Sequence, residues 1–205
     1  MAYTAGVMEM KTENQSGSVR EFVMETVKFA ILAALVVLPI RFFIAQPFIV
    51  KGESMDPTFG DGQYLIVDEI SYYSGDPERG EVIIFKYPND PSKYFIKRVV
   101  GLPGETVSIQ NGRVTIRTKN LPAGFSLDES YVANASGESA VFSLGEDEYF
   151  VMGDNRRNSF DSRAWGVLPR KNIIGRAFAR LLPVDQIGVF PGAVEKIEIE
   201  RSAQK

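Results

Sequence analysis

ETVSIQNGRVTIR, residues 105–117, decides the fold class. Two β-type runs flank Asn111-Gly112. Asn-Gly is the pair that most readily takes positive φ at both central positions, which a type I′ hairpin turn requires. The stretch therefore reads as two antiparallel strands. Working outward, the same texture recurs in QYLIVDEI, GEVIIFKYP, YFIKRVVG, EYFVMG and KNIIGRAFARLL. Gly, Pro and Asp separate these runs, and no long helical period appears beyond residue 46. The expected architecture is an antiparallel all-β domain, sandwich- or barrel-like, over 47–190. Residues 103–148 are rich in Gly, Ser and Asn around their hairpin, so they read as a small β cap inserted in the main sheet. Polar tails are expected at 1–26 and 191–205.

Composition narrows the chemistry. The 205 residues carry a net charge of −3, which argues against nucleic acid as a main partner. There is no cysteine, so disulfides and thiol catalysis are excluded. There is also no histidine. Its absence removes Ser-His-Asp triads and most zinc sites together, so any nucleophilic serine needs another base.

Residues 27–46, VKFAILAALVVLPIRFFIAQ, are expected to form a single membrane anchor. Their unbroken apolar core is only twelve residues, 29–40, short of the roughly 17–25 that a span needs. Lys28 and Arg41 can snorkel at the ends, and the Ala/Leu/Val composition has no polar face. A buried helix and a cleaved signal are the alternatives. The long acidic lead and the missing A-x-A site weigh against cleavage. Charge does not set the orientation, because Lys11, Arg20 and Lys28 on one side face Arg41 and Lys51 on the other.

Ser54 lies in VKGESMDPTFG, with Gly52 before it and Pro57 after it. Taken alone it is a turn serine. A lysine can serve as its base if burial brings the pKa from about 10.4 toward 7–8. In YFIKRVVG, period-two alternation puts Lys97 between Phe95 and Val99 on one apolar face, while Arg98 points the other way. Lys86 is the rival, but it sits at a strand exit beside Tyr87-Pro88. The third element is VMGDNRRNSFDSRAWG, residues 151–166, a loop dense in hydrogen-bonding groups in which Asp161 and Arg163 can pair.

GESMDPT, RGEVIIFKYP, KRVVGLPGE and GDNRRNSFDSR follow in this order behind one hydrophobic segment. The ordered set resembles the bacterial type I signal peptidases, above all in GDN-x-x-x-S-x-D-S-R. The resemblance implies a membrane-anchored Ser/Lys endopeptidase that needs no metal or cofactor. It would remove signal peptides ending in A-x-A from exported preproteins, on the outer face of the bacterial cytoplasmic membrane. Residue by residue, it implies Ser54 as nucleophile and Lys97 as general base, with Ser159 orienting the lysine. Asp161 and Arg163 match the supporting ion pair, and Gly153, Asp154 and Asn155 the structural loop. Phe48, Val50, Met55, Leu65, Ile84, Phe95 and Ile96 match the substrate pockets. The family's oxyanion hole uses the nucleophile's own N–H, and in some members a hydroxyl two residues earlier. Here that position is Gly52. Two other readings compete: a self-cleaving repressor, which also pairs Ser with Lys, and a membrane-anchored β-domain that only binds exported chains.

Overall fold

In the computed structural model, residues 15–39 and 45–194 are described. The chain divides into two compact units, Met1–Arg41 and Phe42–Lys205. The first holds one helix, α1 (Gln15–Pro39), of 25 residues. It begins well inside the expected N-terminal tail. Among the described residues, no helix is long and apolar enough to cross a membrane. The expected anchor also ends too late. Ala45 and Gln46 belong to a strand, β1 (Ala45–Ile49), paired with Asp68 and Val67, while residues 40–44 of that anchor lie outside the described residues.

The second unit is built from β1, β2 (Tyr64–Asp68), α2 (Ser71–Ser74), β3 (Val82–Tyr87), β4 (Asp90–Gly101), β5 (Thr106–Gln110) and β6 (Arg113–Thr118). It continues with β7 (Leu121–Ser126), β8 (Ala140–Ser143), β9 (Glu148–Met152), α3 (Ser162–Trp165), β10 (Leu168–Pro169), β11 (Ile173–Leu182) and β12 (Gly188–Val189). Every named strand pairing is antiparallel, as expected. The main sheet runs β1-β2-β11-β3-β4-β9-β10, with β12 on β11. Its end strands β1 and β10 do not pair, so it is not closed into a barrel. Pro47 lies in β1, where an end strand tolerates the missing N–H donor.

The main sheet is buried on both faces, which explains the uninterrupted apolar run of β3. Val82 and Ile84 join Leu65, Val67 and Ala177 on one side, together with Val50, Met55 and Phe59 from the loop after β1. Ile83 and Phe85 join Val99, Val151, Leu168 and Ile173 on the other. Alternate residues of one strand thus serve two cores. The cap is a separate four-stranded sheet, β7-β6-β5-β8. Its hairpin turn has Asn111 at φ 50° and Gly112 at φ 78°, both positive, as the Asn-Gly pair requires. Val107, Ile109, Val114 and Ile116 pack on Phe150 and Met152 of β9, fastening the cap to the main sheet.

The expected C-terminal tail also begins too early. Gly192 accepts a hydrogen bond from Arg98 Nη1 at 2.6 Å and leaves no room for a Cβ, which would meet Thr58 at 2.5 Å.

Candidate active site

Three segments meet at one place: the loop after β1 with Ser54, the middle of β4 with Lys97, and the loop after β9 with residues 153–163. Lys97 Nζ lies 2.6 Å from Ser54 Oγ and 2.9 Å from the carbonyl oxygen of Ile96, to which it donates. The registration of β4 against β3 sets Lys97 opposite Ile83, inside the core face that holds Phe85 and Val99. Lys97 is only 4% exposed, and its Nζ stands 5.5 Å from the Phe95 ring centroid. Burial lowers its pKa to about 8; Asp161 and Asp154 oppose the shift, and Arg163 adds to it. The strand thus supplies the dry surroundings that a lysine base needs. Lys86, the rival, is exposed.

Ser54 is held by its neighbours' backbone. Its carbonyl accepts from Asn155 N at 3.1 Å, and the carbonyl of Glu53 accepts from Asn155 Nδ2 at 3.2 Å. Gly153 is forced by the same contact: a Cβ there would stand 2.3 Å from both Ser54 O and Ser159 Oγ. No hydrogen bond of the Ser54 N–H is formed among the described residues. Gly52, at φ +84°, donates its N–H to Asp61 Oδ1 at 2.7 Å.

Asp161 is fully buried and organises the third segment. It accepts from Ser159 Oγ at 2.7 Å, from Gly153 N at 3.0 Å and from Arg163 Nε at 2.8 Å. Burial alone would raise its pKa, but the hydrogen bond and charge of Arg163, with the Gly153 and Ser159 bonds, hold it below the usual value. The expected Asp161–Arg163 pair is therefore present. Ser159 differs from expectation. Its hydroxyl donates to Asp161, and the hydrogen bonds of Lys97 go to Ser54 and Ile96. Asp154 has its own cation, for Arg98 donates to it through Nε at 2.9 Å and Nη2 at 2.6 Å, and Thr58 Oγ1 adds a bond at 2.6 Å.

A cavity of about 500 Å³ opens beside the pair. Phe48, Val50, Leu65, Ile84, Phe95 and Ile96 line it, all of them anticipated. Met55, also anticipated, does not. It is 1% exposed and fills the core beneath the loop, because its side chain turns inward with Phe59. Sequence reasoning missed Tyr94, Asn158 and Phe160 on the cavity wall. Phe160 was the findable one: an apolar ring inside a polar loop, here 54% exposed. The Arg98–Asp154 fork was missed too, though an arginine in an apolar strand needs a buried partner.

The site presents a hydroxyl beside a buried amine, a free backbone N–H and an apolar trough. That set can carry out acyl transfer without metal, thiol or imidazole. Similarity to known proteins agrees. The chain is 38% identical over 188 residues to a probable signal peptidase I-2 of a Synechocystis species, covering 88% of this chain and 83% of that one. It is 41% identical over 174 residues to a signal peptidase I of Leptolyngbya laminosa, covering 80% and 82%. With signal peptidase I of Bacillus amyloliquefaciens it shares 33% over 184 residues, covering 87% and 98%. The family described as "Signal peptidase, peptidase S26" matches residues 23–182, from within α1 to the end of β11 and across all three segments of the site, and the chain belongs to that family.

Proposed function

We propose that Ser54 is the nucleophile and Lys97 its general base in this serine endopeptidase of signal peptides. The observation that carries the reading is the 2.6 Å separation of Nζ and Oγ, with the amine buried. Neutral Lys97 accepts the Ser54 proton as Oγ attacks the scissile carbonyl. It returns that proton to the leaving amine, and an acyl-enzyme remains. Lys97 then takes a proton from water, the hydroxide attacks the ester, and Ser54 is regenerated. The N–H of Ser54 supplies one oxyanion donor. Gly52 brings no hydroxyl, and its N–H is committed to Asp61. Asp161 and Arg163 hold the loop against the dyad, and Ser159 acts through Asp161. Asn155 clamps the serine loop, Gly153 allows the close approach, and Asp154 ties the loop to Arg98.

The substrate binds as an extended strand. From Asp90 to Lys97, β4 pairs with β3 on one edge, and β9 takes the other edge only from Arg98 onward. The open edge at residues 94–97 borders the cavity. A peptide added there places alternate side chains in the trough of Phe48, Val50, Leu65, Ile84, Phe95 and Ile96, which suits the small residues of an A-x-A end.

The domain partition follows: a peptidase domain with the cap at 103–148, and an N-terminal membrane anchor. The anchor reading rests on the apolar run at 29–40 and on exposed Phe29, Ile31, Leu32, Leu35 and Val37 of α1. We place it as a single pass in the cytoplasmic membrane, in contact with lipid, with the peptidase on the outer face.

The dyad is tested in detergent-solubilised full chain with a preprotein ending in A-x-A. Ser54→Ala and Lys97→Ala should each lose activity by several orders of magnitude. Lys97→Arg should be equally inactive, because a guanidinium stays charged near neutral pH. Cleavage by either alanine variant at the parent rate would sink the assignment.

A further inference from the structure

The segment from 153 to the first turn of α3 contains three arginines, Arg156, Arg157 and Arg163, and the cap meets all of them. Residues 127–139, which join β7 to β8, form a strap across this loop. Ala133 makes a parallel bridge with Asn155: its N–H donates to Asp154 O at 2.9 Å, and its carbonyl accepts from Arg156 N at 3.2 Å. Asn134 Nδ2 donates to Asn155 Oδ1 at 3.2 Å, and Arg157 Nε donates to Ala135 O at 3.1 Å. Arg156 pairs with Glu129.

Besides the bridge at Asn155, the strap meets the catalytic segment at Arg163, which holds Asp161. The Arg163 side chain is 7% exposed, so each of its five N–H donors needs a partner. Nε and Nη2 serve Asp161, and Nη2 also reaches Arg156 O at 2.7 Å. Among the described residues, Nη1 has only the strap, donating to Ser136 Oγ at 2.9 Å and to the Glu138 carboxylate. Behind the strap stands the cap's own hairpin turn. The N–H of Gly112 donates to Glu138 O at 3.2 Å, and the N–H of Asn111 donates to Ser139 Oγ at 3.2 Å. Ser136 O occupies the place of a Gly112 Cβ, 1.9 Å from where it would sit. A line of contacts therefore runs from the cap hairpin through Ser136 and Glu138 to Arg163, then to Asp161 and its bonds to Gly153 and Ser159.

We infer that the cap is a brace for the catalytic loop, and that Glu138 is a positioning residue acting on the dyad through Arg163. The inference rests on the Ser54–Lys97 reading. It gives the cap insertion a part in the reaction without touching substrate. Glu138 lies on the cap and its side chain is 42% exposed, so its loss leaves the hydrophobic cores intact.

The test is steady-state kinetics of the full chain in detergent with a signal-peptide substrate, run beside thermal unfolding. Glu138→Ala should lower kcat by about three- to five-fold with KM unchanged, and lower the melting temperature by no more than the few degrees that a half-exposed ion pair is worth, leaving the chain folded at the assay temperature. Glu138→Gln keeps an oxygen acceptor for Nη1 and should recover part of the loss. Unchanged kcat in Glu138→Ala would overturn the inference. So would a rise in KM alone, which marks a substrate contact, or a fall in kcat accounted for by loss of folded chain at the assay temperature. Ser54→Ala in the same assay separates the two readings. An inactive Ser54→Ala beside a fully active Glu138→Ala defeats the brace and leaves the dyad standing. An active Ser54→Ala defeats the dyad itself.

Discussion

Lys97 keeps its ammonium at a cost. Its pKa falls from the ordinary 10.5 to about 8 because burial penalises the charged form. Below about pH 8 the lysine is charged in both the folded and the unfolded chain, and the penalty is present in full. Between 8 and 10.5 the unfolded chain holds the proton and the folded chain does not, so this residue's contribution makes stability rise with pH. At about 1.4 kcal/mol per pH unit, the penalty is on the order of 3 kcal/mol. Lys97→Met fills the same apolar surroundings without charge. It should abolish cleavage yet raise stability at pH 7 by up to roughly that amount, with the gain shrinking toward pH 10.5. Urea unfolding of parent and variant across this range checks it. A variant no more stable than the parent at pH 7 would refute the burial account.

At the scale of elements, legibility followed local chemistry. The Asn111-Gly112 turn could be read because two positive φ values demand those residues. The apolar face of β4 could be read because side chains alternate with period two, and this, with the strand exit at Tyr87-Pro88, favoured Lys97 over the exposed Lys86 before the resemblance assigned it as base. The segment at 153–163 stood out because so many polar groups are costly to order without partners, but a satisfied network, a binding loop and a solvated turn all fitted its residues. What stayed hidden depends on contacts distant in sequence. Arg98 finds Asp154 across 56 positions, and Arg163 finds Glu138 across 25. Nothing in GESA marks Glu138 as a partner of the loop. Met55 matches the family's pocket by position, and position alone does not say which way a loop side chain turns; here it packs inward with Phe59. β1 was entered late because Ala45-Gln46-Pro47 carries no strand propensity, and pairing with β2 decides it.

The chain has no cysteine, so a single introduced thiol reports its own position. With the peptidase domain outside, Asp147→Cys in intact cells should react with a membrane-impermeant maleimide and Glu13→Cys should not. The reverse pattern would invert the proposed orientation. The chemistry rests on one amine being neutral near pH 8, and the pH dependence of kcat/KM for an uncharged peptide substrate reads that amine in the free enzyme. The account expects the rate to rise with pH along a limb with an apparent pKa near 8, about a tenth of the lysine being neutral at pH 7. A rate that climbs only toward pH 10, as an ordinary solvated lysine would dictate, or that shows no rising limb between pH 6 and 10, would contradict it.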